Sequence, residues 1–116
     1  MPIKYNDVNI FICKFYSIYK YGLNLSFYNS EMSVTTKEIQ SNSSALEVLE
    51  ILKEGNKRFV NQDPKSRNLL EQVNTTSTGQ FPLAVVISCI DSRVPTEMVF
   101  DQGIGDIFCV RVAGNV

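Results

Sequence analysis

The sequence predicts an α/β fold: the N-terminal part of a parallel β-sheet with flanking helices, incomplete as given. Three observations carry this. Leu83-Ala84-Val85-Val86-Ile87 is a short, Val- and Ile-rich run entered through Pro82. It is too short for a good helix and lacks polar alternation, so it reads as a strand buried on both faces, as in a parallel sheet. Ile107 to Val112 reads as a second strand. Between them Pro95 suits the first turn of a short helix carrying Glu97, Met98, Val99 and Phe100, and Gly103 and Gly105 stop it. Strand, helix and strand make a βαβ-type unit, with a right-handed crossover expected. Two parallel strands leave open edges and little core, so the domain looks cut short.

Residues 1–43 read as an N-terminal extension and linker, and residues 44–116 as the domain. Residues 1–31 are rich in Tyr, Phe, Ile, Asn and Lys without a clean period of two or 3.6. Met32 as the working start is one reading. A helix packing on a partner is the other. Ser33 to Ser44 is polar and linker-like. At Ser44 a helix begins, because Ser44 and Glu47 can form a capping box that satisfies free amides at its start. Ala45, Val48, Leu49, Leu52 and Phe59 recur at helical spacing, and Glu54 can reach Lys57 and Arg58 on the wet side. Gly55 weakens the middle, and Asp63-Pro64 ends the helix. Residues 65–79 read as a long polar loop leading to Gly79-Gln80.

At 116 residues there is room for one small domain, and 44% hydrophobic with 20% charged residues is ordinary for a globular chain. A formal net charge of −1 gives no footprint for nucleic acid or an anionic membrane. Lys14 and Lys20 cut the apolar-aromatic stretch of residues 7–31 into pieces too short to span a bilayer. That stretch is also a poor signal peptide. There is no His, hence neither the commonest metal ligand nor the commonest general base. Three cysteines (Cys13, Cys89, Cys109) form no framework, which favours a reduced, cytoplasmic setting over a disulfide scaffold. The three Asn-x-Ser/Thr patterns, at Asn24, Asn42 and Asn74, are read as chance.

The chemistry-bearing stretch is Ser88-Cys89-Ile90-Asp91-Ser92-Arg93, at the carboxyl end of the first strand, where open α/β sheets place their chemistry. If the backbone stays extended there, Cys89, Asp91 and Arg93 share one face. They would supply a soft metal ligand, a second ligand or base, and a cation to hold that carboxylate. Zinc takes four ligands, and Cys89 and Asp91 offer two. Alternatively Cys89 is a small buried hydrophobe and Asp91-Arg93 a surface ion pair. A phosphatase loop is excluded, since position 95 is Pro. Gly103-x-Gly105 is a turn rather than a dinucleotide fingerprint. Cys109, inside a strand, reads as packing.

The wider pattern resembles the β-class carbonic anhydrases. It comprises Gly55-Asn56-Lys57-Arg58-Phe59, Gly79-Gln80, the Val-rich run, Cys89 to Pro95, Asp101 to Phe108, and Arg111-Val112-Ala113-Gly114-Asn115. It covers about residues 45–116. The resemblance implies a zinc enzyme that reversibly hydrates carbon dioxide to bicarbonate; the chain is expected to pair as a homodimer or higher homo-oligomer. Cys89 would be the first zinc ligand. Asp91, held by Arg93, would orient the zinc-bound water or occupy the fourth zinc position. Gln80 would bind substrate and Phe108 would line the pocket. Nine residues of extended chain separate Gln80 from Cys89, so Gln80 is expected to serve a neighbouring subunit's site. The family's later H-x-x-C metal motif is absent from these residues, and neither Cys13 nor Cys109 matches it. The chain is therefore expected to be a truncated fragment, inactive alone. The competing readings are a non-catalytic interaction module without metal, or a related zinc hydrolase of carbon disulfide-like substrates.

Overall fold

The computed structural model describes residues 9–12 and 34–114. The predicted α/β fold is what it shows. Its elements in chain order are β1 (Asn9–Ile12), α1 (Lys37–Asn42), α2 (Ala45–Val60), α3 (Leu69–Thr75), β2 (Ala84–Cys89), α4 (Thr96–Val99) and β3 (Ile107–Val112). The sheet order is β1-β2-β3. β2 and β3 are parallel, with Ala84 opposite Ile107 and Cys89 opposite Val112. β1 is antiparallel to β2, Asn9 facing Ile87 and Ile12 facing Ala84. The parallel pair expected from the two apolar runs is thus present, and a strand from the N-terminal extension covers its other edge. That strand shows no alternation in sequence, and it was not expected. The rest of residues 1–31 lies outside the described residues, as do Cys13 and Met32.

Helix α2 starts where its capping box places it: the Ser44 hydroxyl accepts from Glu47 N, and the Glu47 carboxylate accepts from Ser44 N at 2.7 Å. Asn61 caps its far end, and Gln62 takes a positive φ of 58° to turn the chain away. Val48 and Leu52 enter the core with Leu83, Ala84, Val86, Val99, Phe100 and Ile107. Phe59 packs against this cluster as the spacing implied, whereas Ala45 is exposed. Glu54 pairs with Lys57 as expected. Arg58 departs from the solvent face and binds Asp101 instead.

Gly55 is a contact point rather than a weak spot. It is buried, and a methyl group there would overlap the Phe100 carbonyl oxygen. Beside it the Asn56 side-chain amide donates to Val99 O at 2.9 Å. Helix α2 therefore lies directly on the main chain at the end of α4. Asp101 follows at once, with φ of 47° and 3% exposure. Its carboxylate accepts from Arg58 and Arg67, and from Lys65 N at 3.2 Å. Burial is the largest single influence and opposes ionisation of this carboxyl, but the hydrogen bonds from Arg58, Arg67 and Lys65 N, with the field of Arg67, together outweigh it and hold its pKa below the usual value.

Two stretches read as irregular are helical. Residues 65–79 contain α3, capped by the Asn68 side chain accepting from Glu71 N at 3.1 Å. Its apolar residues Leu69, Leu70 and Val73 are exposed, while Gln72 is buried and accepts from Ile104 N at 3.0 Å. The polar stretch before Ser44 contains α1. Thr35 just ahead of it is buried, and its N and Oγ1 both donate to Asp106 at 2.8 Å. Strand β2 also differs from expectation. It alternates buried and half-buried positions, so among the described residues only the face bearing Ala84, Val86 and Ser88 is covered. No helix among the described residues is long and apolar enough to cross a membrane.

Gly55→Ala is expected to destabilise the fold by roughly 3 kcal/mol, because backbone carbonyl and helix must part. A urea midpoint unchanged from the parent chain would contradict this contact.

Candidate metal centre

Strand β2 ends at Cys89, and the chain then bends away from the sheet. The extended continuation that would place Cys89, Asp91 and Arg93 on one face does not form. Asp91 and Arg93 meet by a different route. The Asp91 carboxylate accepts from Arg93 N two residues on, at 2.9 Å, which is an Asx-type turn. The same carboxylate is gripped by the Arg93 side chain: Nε donates at 3.0 and 3.1 Å to the two oxygens, and Nη2 donates to Oδ2 at 2.6 Å. Both carboxylate oxygens are thereby engaged. Val94 N closes the turn on Asp91 O at 3.1 Å.

The turn is fastened on two sides. Beneath it, the buried hydroxyls of Ser88 and Thr96 share a hydrogen bond of 2.8 Å, tying the end of β2 to the start of α4. Beside it, β3 contributes three bonds. Val112 O accepts from Ile90 N at 2.9 Å, and the Arg111 guanidinium donates to Cys89 O at 2.9 Å and Asp91 O at 2.6 Å. Arg111 lies in the segment that carried the family resemblance, yet no role follows for it from sequence. The available signal was a lone cation within an otherwise apolar strand.

Cys89 is half-buried with a free thiol, and its sulfur accepts from Asp91 N at 3.4 Å. Asp91 is the perturbed group of the site. Hydrogen bonds from the Arg93 side chain and amide, with the fields of Arg93 and Arg111, lower its pKa from 3.8 to about 2. Cys109 is a contrasting thiol: burial, then the nearby Glu97 carboxylate, push it up to about 12. That makes it inert at neutral pH, in keeping with a packing role.

Gln80 and Phe108 stand away from this turn. Gln80 is exposed near Gly105, beside the start of β3. Phe108 is opposite Val85, four residues before Cys89, or about 13 Å by strand rise. Cys89, Asp91 and Arg93 are therefore brought together at one end of the sheet, while Gln80 and Phe108 are at the other. A groove of about 680 Å³ lined by Phe59, Lys65, Arg67, Leu69, Met98 and Ile104 also excludes the Cys89 turn.

As a zinc centre the described residues fall short. Among them no three His, Cys, Asp or Glu side chains gather as a metal-binding group. One thiol and one carboxylate, the latter already paired with arginine, do not fit a four-coordinate ion.

The depressed Asp91 value has a defined consequence. The folded-state pKa lies below the ordinary one, so the charged turn contributes fully above about pH 4, and its contribution is lost as pH falls through about 2. Carbon-detected NMR of the Asp91 carboxyl is expected to show a midpoint near 2 in the parent chain, moving back towards 3.8 in Arg93→Ala. A midpoint unmoved by that substitution would contradict the pairing.

Comparison with known proteins bears on the same stretch. The family model described as "Carbonic anhydrase" matches residues 84–116. The chain is 43% identical over 76 residues to carbonic anhydrase 2 of Mycobacterium tuberculosis, covering 65% of this chain and 37% of that one. It is 45% identical over 76 residues to a carbonic anhydrase of Mycolicibacterium smegmatis, with the same coverage. A carbonic anhydrase of Synechococcus elongatus is 38% identical over 53 residues, covering 46% of this chain and 18% of its own. The chain thus spans little more than a third of the length of these mycobacterial relatives. The family match and these identities agree: part of this chain is similar to the carbonic anhydrases, over residues 84–116 for the family model and over 76 residues for the mycobacterial enzymes.

Proposed function

We propose that this chain supplies one part of the active centre of an enzyme that reversibly hydrates carbon dioxide to bicarbonate. The observation that carries the reading is the Cys89–Asp91–Arg93 turn, with its carboxylate held by both the side chain and the amide of Arg93. In this reading Cys89 is the first zinc ligand. Asp91 is an orienting acceptor rather than a resting ligand, which is supported by the engagement of both its oxygens with Arg93.

The rest of the zinc coordination has to come from donors beyond the described set. A polypeptide with only these donors holds zinc weakly and does not catalyse the reaction alone. Gln80 and Phe108 serve a neighbouring subunit's centre in a homodimer or larger homo-oligomer. The support is their position at the end of the sheet away from Cys89. Free thiols at Cys89 and Cys109 support a reducing, cytoplasmic setting.

A second reading, a binding module without metal, is favoured by the Asp91 carboxylate, both of whose oxygens Arg93 already engages. Two measurements separate the readings. In the 116-residue chain, zinc is expected well below one equivalent and hydration at the uncatalysed rate. When the same residues sit in a longer polypeptide that supplies a His and a second Cys, Cys89→Ser is expected to lose the metal. Arg93→Ala is expected to retain metal and lose rate by roughly a hundredfold, the scale of a misplaced catalytic group. A longer, metal-free polypeptide with no hydration activity would leave the binding module standing.

A further inference from the structure

We propose that Arg111 is the positioning residue of the Cys89–Asp91 turn, fixing where the thiol and the carboxylate point without touching either reacting group. The main-chain carbonyls on either side of Ile90 both accept from this one guanidinium, Cys89 O from Nε at 2.9 Å and Asp91 O from Nη2 at 2.6 Å. A bridge of this kind fixes the two peptide planes relative to each other. Those planes set the directions of the Cβ atoms at positions 89 and 91. Arginine suits the task because its planar fork presents two donors at fixed separation, whereas lysine offers a single point of attachment.

The neighbouring bonds isolate what Arg111 adds. Ile90 N is held by Val112 O at 2.9 Å, which continues the sheet by one rung and fixes only the near side of the turn. On the far side, Asp91 O receives Val94 N at 3.1 Å within the turn itself. Arg111 joins the main-chain carbonyls of the two sides, alongside the longer Asp91 N to Cys89 Sγ bond of 3.4 Å. The carbonyls it binds are 22 and 20 residues earlier in the chain. They come within its reach because parallel pairing sets Ser88 opposite Arg111 and Cys89 opposite Val112. Asp91 keeps its own clasp from Arg93, so Arg111 acts on the main chain under the carboxylate and Arg93 on the carboxylate itself.

This inference deepens the reading in which Cys89 and Asp91 are the working groups, and its test needs no activity. In the 116-residue chain, Arg111→Gln and Arg111→Lys would be compared with the parent by site-resolved amide exchange and by alkylation with iodoacetamide at fixed pH. Both variants are expected to speed exchange at Ile90 and Val94 about tenfold, the scale of one lost hydrogen bond. Both should change the alkylation rate of Cys89 severalfold, while exchange at Val86 and alkylation of Cys109 stay at parent values. Since Arg111→Lys keeps the charge, its failure to restore the parent rates distinguishes bridging from simple electrostatics. Parent-like exchange and alkylation in folded Arg111→Gln, full rescue by Arg111→Lys, or loss of protection spread evenly over β2 and β3 would each overturn the proposal. An absence of zinc or of hydration activity would overturn the functional reading while leaving the dependence of the turn on Arg111 intact.

Discussion

Parallel pairing of β2 with β3 in one register is the constraint on which this molecule depends. It places Cys89 level with Val112 and so sets the point at which the sheet stops and the turn begins. A slip by one residue would exchange the covered Ala84-Val86-Ser88 face of β2 for the half-buried one. It would also carry Arg111 past the carbonyls it binds. The geometry at Cys89 is therefore a property of two strands, although every residue named in its motif comes from one.

That register is defended from the crossover. Helix α2 lies against the α4 main chain through Gly55 and Asn56, and the chain leaves α4 through Asp101, whose positive φ is unusual for a residue with a side chain. Three partners from two separate stretches converge on Asp101: Arg58 from α2, and Arg67 and Lys65 N from the segment before α3. A carboxylate with 3% exposure needs such compensation to remain charged. The bonds of Asp106 to Thr35 and to Gly103 N do similar work at the start of β3, joining the segment before α1 to the approach of the strand.

What was legible in the sequence was what short-range physics decides. The Ser44–Glu47 box, the β-branched runs of β2 and β3, and the Pro95 start of α4 each depend on neighbours within a few positions. The closeness of Asp91 and Arg93 was also legible, although a turn produces it where extension was expected. Helix α3 was hidden because its apolar residues Leu69, Leu70 and Val73 face solvent while Gln72 is buried, inverting the usual signal. Asn68 with Glu71 was the cap that marked its start. Strand β1 was not legible, since an antiparallel rung formed with β2 leaves no trace in the local pattern of residues 9–12. The bridging by Arg111 was out of reach for the same reason, its acceptors being main-chain atoms that only folding brings near.

The outer side of the sheet has a consequence for handling the protein. Among the described residues β3 is a terminal strand, and Phe108, Val110 and Val112 on it are exposed next to half-buried Val85 and Ile87. Unpaired main-chain donors and acceptors beside a greasy surface act as a template for adding further strands. That outer edge of β3 is therefore where an added strand is expected to pair first, and where aggregation of concentrated chains is expected to start.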